Sequence, residues 1–200
     1  MKPNERGAFI AFGMESSFGE NRNTNSLSSA HVGPMQMDLN VAYKHGLESS
    51  EDGIDPRLDL NTAINIYARE TEERVENVNS WSDWDINSRA ADLGLSPEQL
   101  KYLTWQQGRA GAIDIITTAT ASGNYLGKVT SGKLGKGMSE KLRGNMGRGS
   151  KRKSSGMDGG DLANHYIGQL KDMWARREEE SFERIAPSQE EQVFKNLGLF

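Results

Sequence analysis

The chain has 200 residues and a mass of 22.1 kDa, enough for one compact domain and an additional segment. Only 35% of the residues are hydrophobic, mean hydropathy is -0.70 and the net charge is -4, so a small core is predicted, with part of the chain outside it. Cysteine is absent, which excludes disulfide bridges and thiolate metal sites. No signal peptide and no stretch near the ~20 apolar residues of a membrane span are found, so no secretory signal or transmembrane helix is predicted.

The first predicted helix carries Phe9, Ile10, Phe12 and Met14 and ends near Glu15. A polar loop rich in asparagine and serine follows from Gly19 to His31, and nothing in it alternates as a strand would. Mainly α structure is therefore expected from the start of the chain.

The next helices have clear start signals. Asp55-Pro56 predicts a turn, after which four apolar residues share one helical face, namely Leu60, Ala63, Ile64 and Tyr67. Ser96, Pro97 and Gln99 predict a capping box at the start of a further helix that runs through Leu100 to Ile116.

The stretch from Lys128 to Lys153 is strongly basic and rich in glycine, with Glu140 as its only acidic residue. Glycine at this density disfavours a regular helix, and few bulky apolar residues are present to bury. We therefore predict a flexible basic glycine-rich linker over residues 126–160. Its possible ligands are nucleic acid or an anionic membrane or wall polymer.

The segment from Asp161 to Ile185 is predicted to form an amphipathic helix. Its apolar stripe cannot be buried by the helix alone, so docking on another protein or on further copies of the chain is expected. The predicted division is thus a folded domain at 1–125, the linker at 126–160 and a C-terminal helical interaction segment at 161–200.

Two short motifs suggest a function. Glu15-Ser16-Ser17-Phe18 lies where the first helix ends, and Gly33-Pro34-Met35-Gln36 follows the polar loop. Together they resemble the Glu-Ser-x-Phe and Gly-x-Met-Gln elements of the soluble lytic transglycosylases, a branch of the lysozyme-like superfamily, in a variant associated with phage particles. The resemblance covers roughly Phe9 to Ala119 and implies a lysozyme-like helical domain.

The resemblance implies that the chain cleaves the MurNAc-GlcNAc β-1,4 bonds of peptidoglycan. Glu15 would be the single catalytic acid and base, while Ser16, Met35 and Gln36 would bind substrate. The family's Tyr-Asn-x-Gly element is replaced by Trp105-Gln106-Gln107-Gly108, so Gln106 and Gln107 would supply hydrogen bonds to substrate instead. Neither a cofactor nor a metal is implied.

Because no signal peptide is predicted, such an enzyme is expected to be carried in a phage particle. It would open the host cell wall locally during genome entry and would act in the periplasm or wall. The C-terminal helix would then contact other virion or assembly proteins. Two alternatives stay open. One is an internal virion protein with the same fold but little or no activity, because the Tyr-Asn pair is missing; the other is a nucleic-acid-binding module that uses Lys128 to Lys153.

Overall fold

The computed structural model describes residues 3–18, 31–47, 55–79, 85–120, 124–125, 128–129, 136–145, 154, 156–157 and 159–184. These residues are mainly α, as predicted. The helices are, in chain order, α1 (Pro3–Ser16), α2 (Leu39–Lys44), α3 (Leu60–Asn79), α4 (Ile86–Asp92), α5 (Pro97–Ala119), α6 (Lys136–Asn145) and α7 (Gly159–Arg184). No helix of this described part is long and apolar enough to cross a membrane.

Two short antiparallel pairs accompany the helices. In the first, β1 (His31–Val32) pairs with β2 (Met37–Asp38), with Val32 opposite Met37. In the second, β3 (Asn124–Tyr125) pairs with β4 (Lys128–Val129), with Tyr125 opposite Lys128. The loop between β1 and β2 is the Gly33 to Gln36 motif, so the sequence signal lies at the tip of a hairpin.

The chain divides into two compact units. The first comprises Met1–Glu70 with Trp174–Phe200, and the second comprises Thr71–Met173. The core of the first unit is formed by apolar residues of α1, the β1–β2 hairpin and the first half of α3, including Ile10, Phe12, Val32, Met37, Ala63 and Tyr67. The predicted division at residues 125 and 160 stays a prediction.

The second unit has its core between α4, α5 and the first part of α7. The short helix α4 packs against α5. Their buried residues, together with those that α7 contributes, include Ile86, Ala90, Leu103, Ile113, Ile116, Leu162, Tyr166 and Leu170. Helices α4 and α7 each bury one apolar face, as amphipathic helices of a globular domain do. The second half of α5 is instead buried on nearly all sides, since every residue from Gly111 to Thr118 except Asp114 is buried.

Most of the local start signals are confirmed. Asp55 accepts a hydrogen bond from the backbone of Arg57 and caps a 3-10 turn at Pro56–Leu58. At the start of α5, the Ser96 hydroxyl accepts from the Gln99 backbone at 3.2 Å, and the Gln99 side chain accepts from the Ser96 backbone at 2.9 Å. Both signals act between residues two or three apart, which is why the sequence alone predicts them.

The expectation that glycine disfavours a regular helix in the basic stretch is wrong for one part of it, while the linker itself stays a prediction. Lys136–Asn145, inside the predicted linker, forms the regular helix α6 despite its glycines. Leu142 is fully buried, and Met138, one turn earlier, lies against Gly111 of α5. This contact stabilises the helix because the missing side chain of Gly111 allows a close approach. Residues 146–153 of the stretch lie outside the described part of the chain.

The prediction that α7 docks on another protein or on further copies of the chain stays a prediction, but the reason for it, an uncovered apolar stripe, does not hold. The stripe is already buried by the chain itself, as the low exposure of Leu162, Tyr166, Leu170 and Trp174 shows. In the second unit, Lys171 donates to the Leu93 carbonyl at 3.2 Å and Asn164 donates to the Ala119 carbonyl at 3.3 Å. The first part of α7 is thus an integral part of its own unit.

Candidate functional site

The end of α1 carries the candidate catalytic acid. Glu15 is half-buried in the last turn of the helix. Ser16 is buried, and its hydroxyl donates to the Phe12 carbonyl at 3.1 Å. Ser17 and Phe18 then adopt the left-handed conformation, with φ of 51° and 56°. Two successive side-chain-bearing residues in this conformation are unusual, and such strain concentrates at functional sites.

Three aromatic rings pack around this helix end. The Phe18 ring centroid lies 5.1 Å from that of Phe9 and 6.0 Å from that of Phe12. The left-handed turn folds Phe18 back over Gly13, where a Cβ atom would lie 2.4 Å from the ring. Glycine lowers the helix propensity of this segment, but the missing side chain of Gly13 leaves the space that the Phe18 ring occupies.

The Gly33 to Gln36 motif forms a tight turn between β1 and β2. The Gln36 backbone donates to the Gly33 carbonyl at 3.1 Å, and the Gln36 side chain donates to the same oxygen at 2.7 Å. Gln36 has a φ of 47° and is half-buried. Met35 is fully buried. In this turn Gln36 is accessible from outside, while Met35 anchors the tip in the core.

The hairpin is joined to the 3-10 turn by the side chain of Arg57, which also forms a buried ion pair within that turn. The Arg57 side chain is fully buried and donates to the Asp55 carboxylate at 2.6 to 3.0 Å, and also to the Met37 carbonyl at 3.1 Å. Those hydrogen bonds from Arg57 lower the pKa of Asp55 below its ordinary value, although burial acts in the opposite direction. Gly33 has a φ of 80°, and a Cβ there would lie 2.0 Å from the Arg57 carbonyl oxygen.

The predicted site residues fall in both units. Glu15, Ser16, Met35 and Gln36 belong to the first, while Gln106 and Gln107 belong to the second. Because Ser16 and Met35 are buried, their side chains act as core residues beneath any surface on which a sugar would lie. Their predicted contact with substrate stays a prediction.

Gln106 and Gln107 lie at a break in α5, where Gly108 has a φ of 72° and a ψ of 166°. The Gln107 amide donates to the Tyr166 hydroxyl at 2.7 Å, and that hydroxyl donates to the Gln106 side-chain oxygen. The Gln107 side-chain oxygen is buried and accepts no hydrogen bond among the described residues. Tyr166 was not predicted as a site residue, since in sequence it is only one member of an apolar stripe.

Asp114 has a property that general acids need. Asp114 is half-buried on α5, and burial raises its pKa above the ordinary value. Asp114 was not singled out from the sequence, although its place between Ala112-Ile113 and Ile115-Ile116, within an apolar run, is a signal of partial burial. It is the natural control for Glu15 in any test of acid catalysis.

His45 and Glu70 bring together two side chains of the type that bind metals. His45 Nε2 lies 2.9 Å from a Glu70 carboxylate oxygen, and the Lys44 ammonium lies 2.7 Å from the same oxygen. An ammonium group on that oxygen already neutralises it and repels a metal cation. This cluster is accounted for as an ion pair that ties α2 to α3.

Part of the predicted polymer-binding stretch contacts the chain itself. Arg143 on α6 donates to the carbonyls of Ser154 and Met157, and Lys141 donates to the Gln107 carbonyl at 3.4 Å. Lys136 is exposed. Two of the three α6 cations that were predicted to bind a polymer thus satisfy backbone carbonyls.

Comparison of the chain with family models, with curated proteins and with solved structures gives no match.

Proposed function

We propose that the protein is a lytic transglycosylase that cleaves peptidoglycan glycan strands, with Glu15 as acid and base. The observation that supports this most is the position of Glu15: a half-buried carboxyl in the last turn of α1, followed at once by the two left-handed residues Ser17 and Phe18. Partial removal from water is the general setting in which a glutamate serves as the acid for a glycosidic oxygen.

The proposed reaction needs one carboxyl group. Glu15 donates its proton to the glycosidic oxygen as the bond between that oxygen and the anomeric carbon breaks, with the substrate's N-acetyl oxygen bonding to that carbon. The substrate's 6-hydroxyl then attacks the same carbon, the N-acetyl oxygen leaves, and Glu15 takes the hydroxyl proton back. The product is a 1,6-anhydro-muramyl end and no water is consumed. Gln36, half-exposed at the hairpin tip, is proposed to contact the sugar.

Substitution of Glu15 by glutamine tests this proposal directly. The amide is nearly isosteric but cannot deliver a proton, so Glu15→Gln should reduce glycan-strand cleavage by at least about 10²–10⁴-fold, the usual contribution of general acid catalysis. Asp114→Asn is the matched control and should keep activity. Cleavage is followed on purified peptidoglycan, and mass spectrometry identifies the new ends.

Three outcomes contradict the proposal. Reducing ends instead of anhydro ends would mean that water is the nucleophile and that a second carboxylate takes part. Loss of activity in Asp114→Asn but not in Glu15→Gln would move the acid to α5. A wild-type chain that leaves peptidoglycan intact would favour the inactive structural virion protein. Delivery in a phage particle is part of the proposal, and it is tested by detecting the chain in purified particles.

A further inference from the structure

The left-handed turn at Ser17 and Phe18 needs something to hold it. This conformation brings Cβ close to the following carbonyl oxygen and is costly for residues other than glycine, above all for an aromatic one. It persists in a folded protein only where the surroundings outweigh the cost. The turn also directly follows the helix end that carries Glu15, so whatever holds it acts on the candidate acid.

One side chain from the distant C-terminal helix contacts both residues of the turn. Arg177, on the part of α7 that belongs to the first unit, donates from Nη2 to the Ser17 hydroxyl at 3.0 Å. Its guanidinium carbon lies 6.0 Å from the centroid of the Phe18 ring. The other arm of the guanidinium forms an ion pair with Glu180, one turn along the same helix. Glu180 therefore keeps Arg177 turned toward Ser17 and Phe18.

Arginine suits this position for a physical reason. A planar guanidinium can lie over an aromatic face and at the same time donate hydrogen bonds in its own plane, which an ammonium cannot do with the same geometry. The Ser17 backbone in turn donates to the Gly13 carbonyl at 3.0 Å, which closes the last turn of α1. If the Ser17–Phe18 turn opened, this bond would be lost and Glu15 would gain rotational freedom.

We propose that Arg177 is a positioning residue, which holds the Ser17–Phe18 turn closed and thereby fixes the direction of the Glu15 carboxyl. The role in catalysis rests on the proposed function, whereas the role in holding the turn does not. The inference makes the C-terminal helix part of the arrangement at the end of α1. This differs from the docking role that its sequence predicts.

Hydrogen exchange in the full-length chain tests the structural step. The Ser17 amide should exchange about tenfold faster in Arg177→Gln, because a charge-assisted hydrogen bond and a cation–π contact are both lost. Arg177→Lys should fall between that variant and the wild type. Arg176→Gln removes the same charge from an exposed neighbouring position on the same helix and should leave Ser17 unchanged. Unchanged Ser17 exchange in Arg177→Gln overturns the proposal.

Two further measurements test the step from the turn to Glu15. The carboxyl carbon resonance of Glu15 should move in Arg177→Gln and stay in place in Arg176→Gln. On peptidoglycan, Arg177→Gln should lower kcat with KM nearly unchanged, since a misdirected acid impairs the chemical step and not binding. A shifted Ser17 exchange with an unmoved Glu15 resonance, or with unchanged kcat, refutes the positioning role. If the wild type does not cleave, the proposed function fails, and exchange and resonance alone still decide the role of Arg177.

Discussion

At the scale of single residues, Asp55 and Arg57 form a buried ion pair in the first unit. Both side chains are buried, and the guanidinium joins the Asp55 carboxylate to the carbonyl of Met37, the first β2 residue after the hairpin turn. A buried ion pair adds little net stability by itself, but removing one partner leaves an uncompensated charge in the core. The hairpin that carries Gln36 therefore depends on both members.

Arg57→Met should lower the free energy of unfolding by about 3–5 kcal/mol, the usual cost of breaking a buried pair. Arg69→Met, at an exposed position of α3, is the control and should change it by less than about 0.5 kcal/mol. Because the folded-state pKa of Asp55 is lowered, the stabilisation is present above the ordinary carboxyl pKa and lost as pH falls through the lowered value. Urea unfolding is measured from about pH 7 down to about pH 2. The difference in free energy of unfolding between the wild type and Arg57→Met should become smaller as the pH falls.

Two glycines with nearly the same φ separate conformational strain from steric clash. Gly33 has a φ of 80° and Gly46 a φ of 77°, but a Cβ at Gly33 meets the Arg57 carbonyl oxygen, whereas at Gly46 it meets open space. Gly46→Ala should cost about 1–2 kcal/mol, the left-handed penalty alone. Gly33→Ala should cost a further ~1–3 kcal/mol by overpacking. Equal thermal unfolding midpoints for the two variants would show that the hairpin tip can move away from Arg57.

At the scale of elements, α5 is interrupted at Gly108, and side chains from elsewhere in its unit form hydrogen bonds at the interruption. The break leaves carbonyls of the preceding turn without helical partners. Arg74 donates to the Thr104 carbonyl at 2.6 Å, and Lys141 donates to the Gln107 carbonyl at 3.4 Å. Cations at the carboxyl end of a helix also interact favourably with its dipole. The Tyr166 hydroxyl also forms hydrogen bonds with the side chains of both glutamines before the interruption.

Tyr166→Phe should lower the free energy of unfolding by about 1–3 kcal/mol, because the Gln107 amide N–H loses its acceptor in a buried place. Tyr43→Phe is the control, since Tyr43 is 56% exposed and its hydroxyl can bond to water. Chemical denaturation of both variants gives the comparison. If Tyr166→Phe is as stable as the wild type, the glutamines find other partners, and their hydrogen bonds to Tyr166 do not contribute to stability.

At the scale of the whole molecule, the C-terminal helix belongs to the folded structure. Its apolar stripe is buried, and its first part contacts carbonyls of Leu93 and Ala119 in the second unit. The sequence predicted a separable segment because an amphipathic helix does not indicate which surface covers it. A stripe that docks within its own chain and one that docks on a partner have the same periodicity.

Truncation after Tyr125 should therefore abolish cooperative unfolding of the second unit, since α5 would lose the residues of α7 that cover it. Loss of a sigmoidal urea transition, followed by near-ultraviolet circular dichroism, is the expected result. Its control is truncation after Arg184, which keeps every described helix. A cooperative transition in the fragment 1–125 would contradict this expectation and support the division that the sequence predicts.

The sequence by itself determined the helical character of the chain and the places where its helices start. The Ser96 capping box, the Asp55-Pro56 turn and the face formed by Leu60, Ala63, Ile64 and Tyr67 act between residues a few positions apart, so their signals are local. Only the tertiary structure decided that Gly33 meets the Arg57 backbone, that Tyr166 bonds the two glutamines and that Arg177 reaches Ser17 and Phe18. These contacts join residues 24 to 160 positions apart, and no local pattern specifies a partner at that distance.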